Sequence, residues 1–308
     1  MTSLKIGTRA STLARVQGDS VAQHLSARLG VDVELIAVTT SGDRSTAPLT
    51  QIGGQGVFVG GLREAVVAGA VDIAVHSLKD LPVAPDASVV LAAVPTREDA
   101  RDALVARDRL TLGELPAGSR IGTGSPRRAA QLLALGLDVD VVSIRGNVET
   151  RVAKVRAGEY DAVVLARAGL SRLGRLRDIT ENLDPLQMLP APGQGALAVE
   201  VAATAGELAA DVRAALDDPD ARAAVCAERA ILLALDAGCS APIGALAEIA
   251  EGDDGPEIWL RAVVCAHDGT HLVRRSLVGR PQAAEAVGRS LAEVLLADGA
   301  AELMKEPA

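Results

Sequence analysis

Short apolar runs of strand length alternate with stretches of helical periodicity over the first two-thirds of the chain. Leu4 to Gly7 reads as a strand, and Ser11 to Leu29 then carries Leu13, Val16, Val21 and Leu25 at helical spacing. A strand at Val33 to Val38 follows, then a polar Gly/Ser/Thr/Pro stretch from Thr39 to Gly56. A helix from about Val57 to Ala68 and a strand at Asp72 to Val75 complete the series. A second series has strands at Ala103 to Ala106, Arg120 to Gly122, Val139 to Ile144 and Ala162 to Ala166, with helices at Pro126 to Leu135 and Val148 to Ala157. Alternation of this kind predicts parallel sheets covered by helices on both faces.

From Asp217 onward the pattern changes. A helix at Ala221 to Leu235 precedes Gly238-Cys239-Ser240, and strands follow near Gly244 to Ala250, Ile258 to Ala266 and Leu272 to Val278, with a last helix at Pro281 to Leu296. Asp268-Gly269 is a hairpin turn signal between the last two strands. The fold expected is α/β: two doubly wound lobes and a third, smaller α+β domain. Lobe one takes residues 1–95 plus about 195–216, lobe two residues 101–189, and the C-terminal domain residues 217–308. Ligands of such sheets bind beyond the carboxyl ends of the strands, so the site is expected in the cleft between the lobes. The Pro- and Gly-rich runs Val94–Arg97 and Leu189–Gly195 suit hinges.

Composition narrows the function. Phe58, Tyr160 and Trp259 are the three aromatic residues, too few for base-stacking surfaces, and a net charge of −9 opposes nucleic-acid binding. No apolar run reaches membrane-spanning length, and the N-terminus lacks the apolar core of a secretory signal, so a cytoplasmic protein is expected. Cys226, Cys239 and Cys265 are odd in number and lack metal spacing, which argues against a disulfide framework and against a metal site. Charge is uneven: residues 97–177 hold 15 Lys plus Arg against 10 Asp plus Glu, leaving −14 on the remainder. A basic middle in an acidic chain suggests a local anion site.

The arginines and hydroxyls cluster where strands end. Gly7-Thr8-Arg9-Ala10-Ser11 and Gly122-Thr123-Gly124-Ser125-Pro126-Arg127-Arg128 each leave a strand and open a helix. Small residues let backbone N–H groups approach an anion, and guanidinium forks complete a carboxylate site. Plain helix capping by the hydroxyls explains either loop about as well. Arg145 ends a strand, Arg151 follows in the next helix, and Arg172 lies beyond another strand. The segment from Asp72 to Pro82 runs a buried strand directly into Ser77, Lys79 and Asp80. A carboxylate kept ionised beside a cation suits charge stabilisation or proton transfer. Cys239, in a tight glycine-flanked loop, is sterically open to act as a nucleophile or attachment point, although on these residues alone an incidental thiol is the favoured reading.

Eight segments in order, IGTRAS, GGQGVF, DIAVHSLKDLP, IGTGSPRRAAQL, IRGNVETR, LARAGLSRLG, LPAPGQGALAVE and GCSAPIGA, resemble the porphobilinogen deaminase family over nearly the whole chain. The resemblance implies lobes like those of type II periplasmic binding proteins. It also implies a dipyrromethane cofactor joined to Cys239 by a thioether. Four porphobilinogens are then added with loss of ammonia, and water releases hydroxymethylbilane. Asp80 falls on the family's catalytic carboxylate, which stabilises the cationic azafulvene left by deamination. Ser77, Lys79, Thr123, Ser125, Arg127, Arg128 and Arg145 fall on cofactor-binding positions, and Arg9, Ser11, Phe58, Arg151 and Arg172 on substrate-binding ones. No metal, nucleic acid or membrane partner is implied, and a monomer is expected.

The Gly-rich loop from Gly53 to Val59, whose composition suits a lid, departs from the family pattern, with Gln51, Gln55 and Gly60 where several relatives carry lysines and the run Gly60-Gly61-Leu62-Arg63 where an acidic residue is common. The competing expectation is a two-lobed protein that captures a polycarboxylate without transforming it. The third domain carrying Cys239 weighs against it.

Overall fold

A computed structural model describes residues 3–38, 59–237 and 241–305. The chain divides into two compact units, Met1–Glu98 with Ala196–Arg222, and Asp99–Gly195 with Ala223–Ala308.

Unit one holds β1 (Leu4–Thr8), α1 (Thr12–Leu29), β2 (Val33–Ala37), α2 (Gly60–Val67), β3 (Ile73–Ser77) and β4 (Val89–Ala93). Its sheet order is β2-β1-β3-β10-β4, where β10 is Leu197–Ala202. The first three strands are parallel, but β10 runs antiparallel to both neighbours. The expectation of an all-parallel sheet is therefore corrected. The strand periodicity gave no direction for a segment that enters the sheet from far along the chain. Alternate residues of these strands explain the two-sided core. Ile6, Ile73, Val75 and Val199 pack with Val21 and Leu25 of α1, while Ala74 packs with Leu62 and Val66 of α2.

Unit two repeats the scheme with β5 (Asp102–Ala106), β6 (Ser119–Gly122), α3 (Pro126–Ala134), β7 (Val139–Val142), α4 (Val148–Arg156), β8 (Ala162–Ala166), α5 (Arg167–Arg172) and β9 (Glu181–Asn182). Its order is β7-β6-β8-β5-β9, and β5 is antiparallel to β8, so this sheet too is mixed. Helices α6 (Gly206–Leu216) and α7 (Pro219–Ala234) follow β10. An antiparallel sheet β11-β12-β13 (Ile243–Gly252, Gly255–Cys265, Leu272–Gly279) and helices α8 (Ala284–Ala297) and α9 (Ala300–Leu303) complete the chain. Ile231, Ile243, Leu260, Val264, Leu291 and Leu295 form the core between this antiparallel sheet and helices α7 and α8. Among the described residues, no helix is long and apolar enough to cross a membrane.

The run from Leu189 to Gly195, whose composition suggests a hinge, ends where the chain passes from unit two to unit one. Gly193 and Gly195 adopt φ of 76° and 88°, which glycine allows cheaply, and the turn they make is buried. Gly193 N–H donates to Glu228 Oε2 at 2.6 Å, and Gln194 is fully buried.

Candidate functional site

In unit one, Arg9 and Ser11 leave the end of β1 and Ser77, Lys79 and Asp80 leave the end of β3. A small pocket, about 80 Å³, gathers Arg9, Ser11, Gln17, His76, Ser77 and Asp80 among its lining residues. Asp80 closes a single 3-10 turn, Leu78–Asp80, that is pinned when Leu78 N–H donates to Ala196 O at 3.0 Å. Fully buried Leu78 anchors this turn, and the two residues that follow it, Lys79 and Asp80, are half-exposed. Ser11 caps α1, its Oγ accepting from Ala14 N–H at 3.3 Å, so capping and pocket lining coincide in one residue. Gln17 is buried on α1 and donates from Nε2 to Ser77 Oγ at 2.9 Å, which fixes the hydroxyl at the pocket edge.

Beneath this pocket lies a charged layer that the sequence did not reveal. Arg63 donates from Nε and Nη2 to the two oxygens of Glu200 at 3.0 and 2.7 Å, and His76 Nε2 lies 3.2 Å from Glu200 Oε2, off the line of a straight hydrogen bond. Burial alone would raise the Glu200 pKa, but His76 and Arg63 bring it down to about 2. Arg63 also meets Asp86 at 3.3 Å, so the residue that departs from the family pattern is fully engaged.

In unit two, β6 ends at the Gly122–Ser125 loop. Thr123 Oγ1 accepts from Ser125 N–H at 3.2 Å, and Ser125 Oγ caps α3 by accepting from Arg128 N–H at 3.4 Å, with Pro126 at the first helical position. The two residues after Pro126, Arg127 and Arg128, point back into the unit, where both are nearly fully buried. There they meet Asp102 at the start of β5, which is 0% exposed. Arg127 Nη2 lies 2.8 Å from Asp102 Oδ2. Arg128 donates from Nε and Nη2 to Oδ1 at 3.0 and 2.7 Å, and Gln194 Nε2 adds a third bond to Oδ1 at 2.9 Å. Burial would raise the Asp102 pKa, yet both guanidiniums and these hydrogen bonds hold it well below the usual carboxylate range. Two cations against one anion leave the array net positive.

Arg145 and Arg151 extend that positive field. Arg151 donates from Nε to Gly146 O at 2.8 Å, and a Cβ added to Gly124 would lie 4.0 Å from its Nη2, which places this guanidinium over the Gly122–Ser125 loop. Burial, and then the charges of Arg128 and Arg145, push the Arg151 pKa down. Among the described residues neither Arg145 nor Arg151 forms an ion pair with a carboxylate. Arg172 donates from Nη2 to Gly195 O at 2.7 Å. Phe58 and Cys239 lie outside the described residues. Of the other cysteines, Cys226 is half-buried, and Cys265 is buried with its thiol pKa raised to about 11 by that burial. Sequence reasoning passed over Gln17, Asp102, Gln194 and Glu200. One signal was present, a charged residue opening an otherwise apolar strand at Asp102.

Such a set of residues suits a ligand with several carboxylates, and comparison with known proteins identifies the lineage. The family profile "Porphobilinogen deaminase, dipyromethane cofactor binding domain" matches residues 4–210, and "Porphobilinogen deaminase, C-terminal domain" matches residues 222–297. The chain belongs to the porphobilinogen deaminase family. A porphobilinogen deaminase of Nocardia farcinica is 55% identical over 312 residues, covering 100% of this chain and 89% of its own. One of Mycobacterium avium is 55% identical over 306 residues, covering 98% and 96%. Among solved structures, a periplasmic substrate-binding protein of an ABC transporter from Coxiella burnetii is 16% identical, covers 71% of this chain and 94% of its own, and has a TM-score of 0.45. That likeness is loose, and family membership rests on the sequence matches.

The family's cofactor domain fits the residues present. A dipyrromethane brings acetate and propionate groups, and the excess of guanidinium over carboxylate around Arg128, Arg145 and Arg151 is the complement such a group requires.

Proposed function

We propose that this chain is a transferase that condenses four porphobilinogen molecules head to tail onto a dipyrromethane primer held by a thioether at Cys239. Each addition releases ammonia, and water finally frees the linear tetrapyrrole hydroxymethylbilane, a precursor in heme and tetrapyrrole biosynthesis. The observation that carries the reading is the match to both family profiles, together with a relative that is 55% identical over the whole of this chain.

When bound, the primer supplies the pyrrole carbon to which the first unit is joined. The chain's own residues do the rest. Ser77, Lys79, Thr123, Ser125, Arg127, Arg128 and Arg145 hold the primer and its carboxylates. Arg9, Ser11, Phe58, Arg151 and Arg172 hold the incoming porphobilinogen. Guanidinium forks suit this work because they bind carboxylates through paired hydrogen bonds and keep their charge at every pH the enzyme meets. Asp80 accepts hydrogen bonds from pyrrole N–H groups and stabilises the cationic azafulvene that forms as ammonia departs, through carbon–carbon bond formation. Its place in one pocket with Arg9, Ser11 and Ser77 supports this role.

The reading includes a cytoplasmic monomer, since a reducing compartment keeps the Cys239 thiol available for the thioether. Sedimentation at micromolar concentration tests the oligomeric state. The central test is the intact mass of the denatured protein purified from porphobilinogen-producing cells. The wild-type chain gains the mass of a dipyrromethane, and Cys239→Ser does not. An unmodified wild-type chain would favour simple polycarboxylate capture.

A further inference from the structure

Gln131 lies one turn beyond Arg127 on α3, is 2% exposed, and belongs to none of the roles described above. Its Nε2 donates to Leu189 O at 3.0 Å and its Oε1 accepts from Leu189 N–H at 2.8 Å. One side-chain amide thus engages both polar groups of a single residue, as a paired strand would. The same Nε2 reaches Arg127 O at 3.3 Å, and Arg127 Nη1 donates to the same Leu189 oxygen.

Leu189 is held from its other side by β11. A Cβ on Gly244 would stand 2.8 Å from both Leu189 Cβ and Leu189 O, and Ala245 N–H donates to Pro190 O at 2.9 Å. Ile243, which opens β11, follows Cys239 by four residues. The apolar contacts here, among Ala130, Leu189, Leu246 and Val263, bury area but set no register. Directional bonds must do that, and Gln131 makes most of those on the helix side.

We propose that Gln131 is a positioning residue for primer loading: by clamping Leu189 it sets the separation of Arg127 from β11, the strand that opens four residues after Cys239 in the sequence. The inference rests on the roles proposed above for Cys239 and Arg127. Without the amide, Leu189 N–H is left buried and unpaired, and the carbonyl that steers the Arg127 guanidinium is free to drift.

The test supplies porphobilinogen to primer-free enzyme and follows the intact mass of the chain with time. Gln131→Leu should load on the order of tenfold more slowly than wild type, the size expected when one buried hydrogen-bonding partner is lost. Turnover per loaded chain should stay unchanged. Leu132→Ala is the control: it lies fully buried on the same helix and loses at least as much stability, yet should load at the wild-type rate. Gly244→Ala displaces Leu189 from the opposite side with Gln131 intact, and should slow loading as well. Wild-type loading by both Gln131→Leu and Gly244→Ala overturns the inference, as does equal slowing in Leu132→Ala. A wild-type chain that never gains the primer mass overturns the underlying assignment, which separates the two failures.

Discussion

Arg128 grips Asp102 through two nitrogens on one carboxylate oxygen, Nε at 3.0 Å and Nη2 at 2.7 Å, with Asp102 fully buried and Arg128 nearly so. The strand residue therefore orients a helix residue that was expected to face ligand. Asp102 compensates only half of the positive charge that α3 delivers, and the uncompensated remainder is what recommends this place for an anionic group.

Asp102→Ala should be among the most damaging single changes in the chain. It leaves Arg127 and Arg128 buried without a counter-charge, at a cost of about 3–5 kcal/mol. Urea unfolding of wild type and variant measures the loss. An unchanged midpoint would mean that the two guanidiniums find other partners.

Asp80→Asn should separate chemistry from folding. The side chain is half-exposed in a turn anchored by Leu78, so the unfolding midpoint should stay at its wild-type value. Porphobilinogen consumption should fall by about 10²–10³-fold, the loss typical when preorganised charge stabilisation is removed. Near-normal consumption would take Asp80 out of its proposed role.

Arg151 is crowded by like charges, which lower its pKa after burial has done so. Arg151→Leu should consequently leave the melting temperature of primer-free enzyme unchanged or higher, while KM for porphobilinogen rises about tenfold through loss of a charge-assisted pair. Thermal melting and steady-state kinetics on one preparation check both halves. A fall in melting temperature would show that the guanidinium is a structural tie.

Glu200 makes stability depend on acid. Its pKa is depressed to about 2 in the folded chain, so its contribution is fully present above the ordinary carboxylate value and is lost as pH falls through about 2. A shift of this size is worth roughly 3 kcal/mol. Arg63→Met removes the principal guanidinium partner and should raise that pKa, moving the acid-unfolding midpoint of unit one to higher pH. Circular dichroism during acid titration reads the change, and coincident titrations of the two proteins would refute it.

The sequence by itself determined most of the local structure and the lineage. Helix and strand periodicities located α1 to within a residue at its start and β8 without error, and the strand-end loops of Arg9, Ser11, Ser77 and Asp80 were legible because hydroxyl and charged residues interrupt apolar runs there. Ordered motifs carried the family, since their number and sequence leave little room for chance. Only the tertiary structure decided the strand directions of β5 and β10, and which arginines are paired with an internal carboxylate. Asp102 meets Arg128 across 26 residues and Gln194 across 92, while Arg63 meets Glu200 across 137. Pairings of that span leave no periodic trace, because they depend on where the sheets bring distant segments together rather than on any property of the segments themselves.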